Sequence, residues 1–209
     1  MGRFADDLRG HSKIRNHPQA RAAKAWIRAL VLEAVGAAHV FDAFAGDGRM
    51  HADVWSRAAS YVGCDLEWFR DGRLAYVADN LRVLRAVDLA PFNVFDLDAF
   101  GSPWEQALII AARRKAAPGE RIGLAVTEGS GLALKMGDLP RAMAELLGLR
   151  GRPAGSIRWQ EELIGQALQR LAQRMGARLV QRWDARRGGG SAMRYIGIVI
   201  EGVSGAGRP

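Results

Sequence analysis

Five acidic residues, each at or near the end of a short predicted strand, are the side chains most able to support chemistry in this sequence. Carboxylates accept hydrogen bonds from hydroxyl and amino groups. In an open α/β sheet, ligands bind beyond the carboxyl ends of the strands, so acids at these ends would meet in one crevice. N-capping of the following helix is the alternative explanation for each acid, and for Asp88 the two carry equal weight. The five acids are Asp42, Asp65, Asp88, Asp98 and Glu128.

A glycine loop follows the first of these acids. The apolar run that ends in Asp42 continues into Gly46 and Gly48, as is typical of a buried strand, a tight turn and a helix start. Glycines let the backbone approach a ligand, and the amide groups that follow them can face it. His51 occupies the position of the third glycine in the dinucleotide-binding pattern. The segment therefore predicts a cofactor loop that fits a dinucleotide poorly.

The second acid strengthens this prediction. Asp65 ends the apolar run Ser60–Asp65 and lies 23 positions after Asp42. This is close to the spacing at which a carboxylate on the second strand binds the ribose hydroxyls of an adenosine cofactor. The loop and the acid thus point independently to a cofactor that contains adenosine.

These groups need a scaffold that places strand ends side by side, and the rest of the sequence predicts one. Predicted strands alternate with helices, which favours an α/β fold with a mostly parallel sheet and helices on both faces. A glycine-rich turn joins the last two strands, which predicts an antiparallel hairpin at the sheet edge. The predicted helices cover residues 19–35, 49–59, 68–78, 106–115 and 160–175, and the strands after the opening one cover residues 60–65, 81–85, 92–97, 122–127, 177–185 and 192–201.

Apolar stripes support the first and the last of these helices. Gly36 is the predicted C-cap of the first helix, and Gly176 ends the last one. The region 139–159 is less regular and is either a short helix with a basic substrate loop or a solvated connection. The stripes are Ala22, Trp26, Leu30, Val31 and Ala34 in the first helix, and Ile164, Leu168, Leu171 and Met175 in the last.

Length and composition indicate a single globular domain. With 209 residues the chain suits one domain, for which we expect residues 19–202. Residues 1–18 read as a basic arm that either folds over a site or stays mobile, and residues 203–209 as a disordered tail. Thirty Lys and Arg against 22 Asp and Glu give a net charge of +8, which favours polyanions, although genome bias toward arginine is an alternative explanation.

Several classes of protein are disfavoured by the sequence. The single cysteine, Cys64, excludes an intramolecular disulfide and a cysteine zinc cluster, and its apolar surroundings predict a buried thiol. The spacing of His11 and His17 supports no metal site. Because no stretch of 18 apolar residues occurs and the N-terminus has no apolar signal region, we expect a soluble cytoplasmic protein without membrane contact.

Three segments together resemble a known family. Phe41–Gly48 is similar to the first motif of class I S-adenosylmethionine-dependent methyltransferases, and the terminal hairpin suits their Rossmann-like, seven-stranded sheet. The segment 96–103, Asp-Leu-Asp-Ala-Phe-Gly-Ser-Pro, resembles the corresponding segment of the tRNA guanine-N2 dimethyltransferases, in which proline is usual at the position of Ala99. Residues 124–128 also look like that family.

The resemblance implies S-adenosylmethionine as the cofactor. Asp42 would orient its ammonium group directly or through water, Asp65 would bind the ribose hydroxyls, and Asp88 would accept from the adenine amino group. A cofactor without phosphate needs no phosphate cradle, which agrees with the absent third glycine. The implied cofactor site comprises Asp42, Phe44, Gly46, Gly48, Asp65, Leu66 and Asp88.

The resemblance also implies an acceptor site after the fourth strand. Asp98 would accept an N–H of an exocyclic guanine amine and take or relay its proton, Phe100 would stack on the base, and Gly101 would leave room for it. Asp96 is either a second polar contact or a buried acid that bonds to a neighbouring loop. Ser102 and Pro103 would complete the substrate contacts, or Ser102 would only cap the next helix.

A nucleic-acid base, in RNA rather than DNA, is the substrate that the resemblance and the basic charge favour. Three alternatives stay open: a DNA base, a small molecule or protein side chain, and a methyltransferase-fold binding module without turnover. The basic residues expected to meet phosphates are Lys13, Arg15, Arg21 and Lys24 near the N-terminus, the loop around Arg150 to Arg158, which includes Arg152, and Arg186 and Arg187 in the hairpin turn.

Overall fold

The protein folds around one seven-stranded sheet. The computed structural model describes residues 18–67, 70–151, 153–186 and 193–204. The strands lie in the order β3-β2-β1-β4-β5-β7-β6; the pairs among β1 to β5 are parallel, and β7 runs antiparallel to both of its neighbours. The strands are β1 (His39–Asp42), β2 (Ser60–Asp65), β3 (Ala75–Val77), β4 (Val94–Leu97), β5 (Arg121–Glu128), β6 (Ala177–Arg186) and β7 (Arg194–Gly202). This confirms the predicted mostly parallel sheet with an antiparallel C-terminal hairpin.

Helices cover both faces of the sheet. Alternate residues of each inner strand point to opposite faces, so that Phe95 packs among the helices of one face and Val94 packs against the helix on the other. The helices are α1 (Pro18–Val35), α2 (Arg49–Asp53), α3 (Asn80–Ala86), α4 (Trp104–Arg113), α5 (Gly131–Lys135), α6 (Arg141–Leu146) and α7 (Gln160–Arg174), with short 3-10 helices at Trp55–Arg57 and Ile157–Trp159. None of the helices in the described part of the chain is long and apolar enough to cross a membrane.

Helix α1 packs unusually close to the sheet because two strand residues opposite it are glycines. A Cβ atom on Gly123 would lie 2.5 Å from Cγ1 of Val31, and one on Gly197 would lie 2.9 Å from its Cγ2. The predicted C-cap is confirmed, since Gly36 adopts a φ of +81° and donates to the carbonyl of Leu32. This close packing lets side chains of α1 reach the ends of β4 and β5.

The predicted apolar stripe of α1 is partly wrong. The buried face consists of Ala20, Ile27, Arg28 and Val31, whereas Trp26 is 51% exposed. An arginine in the middle of the buried face hides the true periodicity, because sequence patterns assign arginine to the solvent side. The stripe of α7 is confirmed, with all four predicted residues buried.

The region between β2 and β4 corrects two element predictions. Residues 75–77, expected to be helical, form the edge strand β3, and residues 81–85, expected to be a strand, lie within α3. Strand β3 has three exposed residues and therefore carries no alternating pattern. Asp79 caps α3 by accepting from the amide of Arg82, a capping signal that identifies the helix start.

This correction moves Asp88 away from the predicted cofactor site. Asp88 follows α3 and precedes β4, so it lies at the amino ends of the parallel strands, opposite the edge where ligands bind. Its Oδ1 accepts from the amide of Ala90 at 3.0 Å. The prediction that Asp88 ends a third strand is wrong.

Other expectations are refined or fall outside the described residues. The helix predicted after Gly48 is the short α2 followed by a 3-10 turn, and residues 139–159 contain α6 and a second 3-10 turn. Helix α5 was not expected. Cys64 is buried, as predicted. Lys13, Arg15, Arg152 and Arg187, together with most of the proposed arm and tail, lie outside the described residues.

Candidate active site

A cavity of about 270 Å³ opens beyond the carboxyl ends of β1, β2, β4 and β5, on the face covered by α1. It collects residues from loops far apart in sequence, and α1 closes one side with Ala20, Arg21 and Lys24. Seven residues of the predicted site line this cavity: Asp42, Phe44, Gly46, Asp65, Asp96, Asp98 and Phe100. Acids from three strand ends and the glycine loop therefore meet at one place.

The glycine loop has the backbone conformation that its sequence predicts. Gly46 and Gly48 adopt φ values of +46° and +79°, which side chains with a Cβ rarely tolerate. Arg73 lies beneath the loop and donates to the carbonyls of Ala45 at 2.9 Å and Gly46 at 2.7 Å. A Cβ on Gly48 would lie 2.9 Å from Cζ of Arg73. Arg73 thus holds the loop in place, a role that sequence reasoning missed.

Asp42 is buried at the end of β1. Its Oδ1 accepts from the amide of Phe44 and its Oδ2 from the hydroxyl of Tyr61, both at 3.0 Å. Burial and the nearby carboxylate of Asp96 raise the pKa of Asp42 to about 8, although Phe44, Arg28 and Tyr61 act in the opposite direction. The carboxyl is thus fixed in orientation and easily protonated.

Asp65 connects the glycine loop with the loop after β2. Its Oδ2 accepts from the amide of Gly46 at 2.8 Å, and its Oδ1 accepts from the amide of Glu67 at 3.1 Å. The carboxylate also lines a second cavity, so it stands between the two spaces. Each carboxylate oxygen can accept more than one hydrogen bond, so Asp65 can bind a ligand without releasing the loops.

The second cavity, of about 180 Å³, contains residues that the sequence analysis did not assign to a site. Asp79 and Asn80 enter it at the exit of β3, where Asp88 had been expected. Asn80 is held in place because it donates to the carbonyl of Ala43 and accepts from Gln106. The full lining is Ala43, Phe44, Asp65, Leu66, Ala78, Asp79 and Asn80. An apolar ring with a polar edge, such as a nucleobase, suits this mixture.

Asp96 is a buried acid rather than an open polar contact. Arg28 binds it through two hydrogen bonds of 2.6 Å, and the indole of Trp55 donates to it at 2.6 Å. Burial raises the pKa of Asp96, whereas Arg28 and Trp55 oppose that rise. Burial lowers the pKa of Arg28, but Asp96 and Asp98 more than reverse this. The contacts favour the second of the two roles predicted for Asp96, and Arg28 is a residue that the sequence analysis missed.

Asp98 lies nearer the opening of the cavity and is held by α1. Lys24 Nζ lies 2.6 and 2.9 Å from its two oxygens, and Arg28 Nη2 lies 3.5 Å from Oδ2. Burial alone would raise the pKa of Asp98, but Arg28 and Lys24 bring it below its ordinary value. Lys24, expected to meet phosphates, is therefore the ion partner of Asp98, and Arg21 likewise pairs with Asp53.

The loop after Asp98 presents an aromatic ring at the rim of the cavity. Phe100 is 64% exposed, whereas Ala99 before it is buried. Gly101 has a φ of +112°, and its carbonyl accepts from the amide of Gly129 at 2.7 Å. Pro103 rather than Ser102 occupies the N-cap position of α4, so the capping alternative for Ser102 is wrong.

The remaining predicted residues have structural contacts. Glu128, at the end of β5, is buried and accepts from the amide of Ser130 and the side chain of Gln160. Arg186 pairs with Glu161 at 2.9 Å, at the same sheet edge as the cavity. Within the described residues, no group of three or more His, Cys, Asp and Glu side chains could hold a metal ion.

Comparison with known proteins supports the fold. No protein-family model matches the sequence, and no curated protein matches it significantly. Trm1 from Pyrococcus horikoshii, solved with S-adenosyl-L-methionine, superposes with a TM-score of 0.60 and 17% identity over 89% of this chain, which spans 56% of that protein. TYW2 from M. jannaschii, in complex with AdoMet, gives 0.58 and 10% identity over 90% of this chain and 78% of that one.

A third structure shares the same fold. The 1,6-didemethyltoxoflavin-N1-methyltransferase of Burkholderia thailandensis, with bound 1,6-didemethyltoxoflavin and S-adenosylhomocysteine, gives a TM-score of 0.54 and 16% identity over 96% of this chain and 87% of that one. At such identities the likeness concerns the fold. It confirms the Rossmann-like class I methyltransferase fold that the first sequence motif and the terminal hairpin predict.

Proposed function

We propose that this protein is an S-adenosylmethionine-dependent methyltransferase that modifies the exocyclic N2 amine of guanine in RNA. The observation that carries the proposal is the shared cavity: Gly46 and Asp65 line one part of it, and Asp98 and Phe100 line another. Methyl transfer requires donor and acceptor to be held in contact and in line. One continuous cavity between a cofactor loop and an acidic acceptor site meets that requirement.

The residues present fit the charge and shape of S-adenosylmethionine. Its sulfonium and ammonium groups are cationic, and the lining of the main cavity contains six acidic side chains, of which Asp42 ionises only near pH 8, against three basic ones. The second cavity has room for the adenine ring beside Phe44 and Leu66, with Asp79 and Asn80 available for its polar edge. When bound, this cofactor would supply a methyl carbon that the nucleophile attacks, and the bond from that carbon to sulfur would break to leave a neutral thioether.

The donor end is organised by backbone contacts. Asp42 would bind the ammonium group, Asp65 would bind the ribose hydroxyls, and the glycine loop held by Arg73 would admit the methionine part between them. Asp79 or Asn80 takes the role that the sequence analysis gave to Asp88. Each of these groups binds and orients the donor and none of them exchanges a proton with the acceptor.

The acceptor end is organised by side-chain charges. The pKa of Asp98 is lowered by Arg28 and Lys24, so its carboxylate stays ionised at neutral pH and can accept one N–H of the target amine. This contact favours the geometry in which the nitrogen lone pair faces the donor. Once the C–N bond forms, the nitrogen carries positive charge, and its acidic proton can pass to a weak base such as Asp98 or to water.

Three features support RNA as the target. The segment 96–103 resembles that of the tRNA guanine-N2 dimethyltransferases, Phe100 is exposed at the rim where a base would stack, and the net charge of +8 favours a polyanion. Phe100 would stack on the guanine while Gly101 leaves space beside it.

One experiment tests the proposal against its alternatives. Purified protein is incubated with labelled S-adenosylmethionine and, separately, with total RNA, genomic DNA and a protein extract, and the labelled products are digested and identified. We expect label in N2-methylguanosine. Label found only in DNA, or only in protein, would overturn RNA as the substrate in favour of that class of molecule. Cofactor binding by calorimetry without label in any sample would overturn the enzyme assignment in favour of a binding module.

A further inference from the structure

Large apolar side chains are exposed on the loop of Phe100 and on two elements that follow β5 in the chain. The exposed fraction is 64% for Phe100, 69% for Leu132, 75% for Met136 and 55% for Trp159. Phe100 lies at the cavity rim, and the others belong to α5, to the residue that follows it, and to the 3-10 helix Ile157–Trp159. Clustered exposure of this kind marks an interaction site more often than scattered exposure does.

Backbone hydrogen bonds connect these segments to one another. The amide of Gly129 donates to the carbonyl of Gly101 at 2.7 Å, which fixes the loop of Phe100 to the start of α5. The amide of Gly155 donates to the carbonyl of Gly137 at 2.8 Å, which fixes the end of α5 to the segment leading into the 3-10 helix. The exposed apolar side chains are therefore carried on neighbouring, mutually fixed elements.

Two cationic side chains lie on the same elements. Lys135 ends α5, Arg158 lies in the 3-10 helix, and both are exposed. Neither forms an ion pair with any residue in the described part of the chain, whereas Arg21 and Lys24 at the cavity are both paired with carboxylates. Cations without a partner in the protein can neutralise phosphates without first breaking an internal ion pair. We call Leu132, Lys135, Met136, Arg158 and Trp159 the platform.

We propose that the platform binds unpaired nucleotides that flank the target base in the RNA. Trp159 stacks on one flanking base, Leu132 and Met136 give an apolar surface for the next, and Lys135 and Arg158 neutralise the phosphates between them. The inference rests on the proposed function, which it extends by naming single-stranded RNA around the target as the preferred substrate. A platform beside the acceptor site favours RNA that presents its bases unstacked, because bases within an A-form helix are inaccessible.

Direct binding measurements test the platform. The affinity of the full chain for a labelled single-stranded RNA oligonucleotide, and for the same sequence as a duplex, is measured by fluorescence anisotropy over a range of salt concentrations. Trp159→Ala is compared with Trp26→Ala, because Trp26 is 51% exposed but lies on α1 across the sheet. Lys135→Ala/Arg158→Ala is compared with Arg57→Ala/Arg82→Ala, in which two exposed cations elsewhere are removed.

The expected results are specific to the platform. Trp159→Ala weakens single-strand binding by about 5- to 100-fold, the range expected for loss of one stacked base. In the double variant Lys135→Ala/Arg158→Ala, the slope of the logarithm of the binding constant against the logarithm of the salt concentration becomes shallower by roughly 1.4. Both control variants stay within about twofold of the wild type, and the duplex binds more weakly than the single strand.

Failure of the platform can be distinguished from failure of the proposed function. If Trp159→Ala and Trp26→Ala have equal effects, or if the duplex binds as tightly as the single strand, the platform is overturned while methylation of RNA by the wild type still supports the enzyme assignment. If the wild type binds no RNA at low salt but binds S-adenosylmethionine, both the platform and the RNA target are overturned.

Discussion

Asp65 and Asp98 each lie at the end of a strand and line the same cavity, yet they are held in opposite ways. Asp65 accepts two backbone amides, from residues 19 and 2 positions away in sequence. Asp98 is held by the side-chain ammonium of Lys24, 74 positions away, with Arg28 of the same helix close by. The donor end of the cavity is thus built by its own loops, whereas the acceptor end depends on where α1 docks.

This difference separates the two halves of the proposed activity. The amides that bind Asp65 belong to the backbone of adjoining loops, so its orientation depends little on side chains elsewhere, apart from Arg73, which holds the glycine loop. The acceptor end is a network of Asp96, Asp98, Lys24 and Arg28 in which the charge of each group sets the state of the others. We therefore expect changes at the acceptor end to affect turnover or stability, and changes at the donor end to affect cofactor affinity.

The largest expected effect is that of Asp98→Asn. The amide keeps the shape of the carboxylate but cannot accept the N–H and proton in the same way, so turnover on RNA should fall by about 100- to 10,000-fold. The dissociation constant of S-adenosylmethionine, measured by titration calorimetry, should stay within about threefold of the wild type. An equal loss of turnover and of cofactor affinity would show that Asp98 also contributes to binding of the cofactor and does not act on the acceptor alone.

Asp65→Asn is the matched variant at the donor end. Its two amide partners lie in adjoining loops, and the loss of charge weakens the contacts with the ribose. We expect the dissociation constant of S-adenosylmethionine to rise by about 10- to 100-fold, while turnover at saturating cofactor changes less than in Asp98→Asn. If Asp65→Asn instead lowers turnover at saturation without affecting cofactor affinity, the two ends have been assigned the wrong way round.

Arg28→Met should be the most destabilising change in this set. Arg28 and Asp96 are both buried and joined by two hydrogen bonds of 2.6 Å, so removing the guanidinium leaves a buried carboxylate without its partner. The expected loss is about 3–5 kcal/mol in the free energy of unfolding, measured by urea denaturation.

The double variant Arg28→Met/Asp96→Leu is the control for this loss. It removes both charges, and we expect it to recover most of the stability because no unpaired charge remains buried. A double variant as unstable as Arg28→Met would mean that the packing of the arginine side chain and the Trp55–Asp96 hydrogen bond, rather than the ion pair, stabilise this end of the cavity.

The same contrast explains how much of the site was accessible from sequence. The donor loop could be predicted because its signals are local: Gly46 and Gly48 need positive φ values, and Asp65 follows a short apolar strand. Arg28 and Lys24 could not be predicted, because an arginine or lysine in a helix is normally assigned to solvent and nothing nearby in sequence names its partner. Their positions depend on the close approach of α1 at Gly123 and Gly197.

The fold was predictable wherever strands were long and buried, and the errors fell where they were not. Strand β3 has only three residues, all of them exposed, so it lacks the alternation of apolar and polar residues that predicts a strand. The short apolar run of the following helix then suggests a strand in its place. As a result the sequence predicts Asp88 at a position where the structure has Asp79 and Asn80, which line the second cavity. Asp79 followed by a mixed apolar run is the capping signal in the sequence that indicates the start of α3.

The smallest expected effect is a pH dependence at Asp42 that joins the two ends of the cavity. Burial and the neighbouring Asp96 raise the pKa of Asp42 to about 8, while Arg28, Tyr61 and the Phe44 amide oppose the rise. The folded protein therefore keeps a proton on Asp42 that the unfolded chain releases near the ordinary pKa of an aspartate. The stability of the fold falls for this reason as pH rises from about 4 to 8.

Binding of the donor should release this proton, because the cationic ammonium group favours the ionised form of Asp42. The affinity for S-adenosylmethionine should then rise by about fivefold between pH 7 and 8. Calorimetry on Asp42→Asn provides the control, because the titration of the ligand itself is common to both proteins. An identical pH profile in the variant would exclude Asp42 as the group that binds the ammonium, and the donor end would then depend on Asp65 and the glycine loop alone.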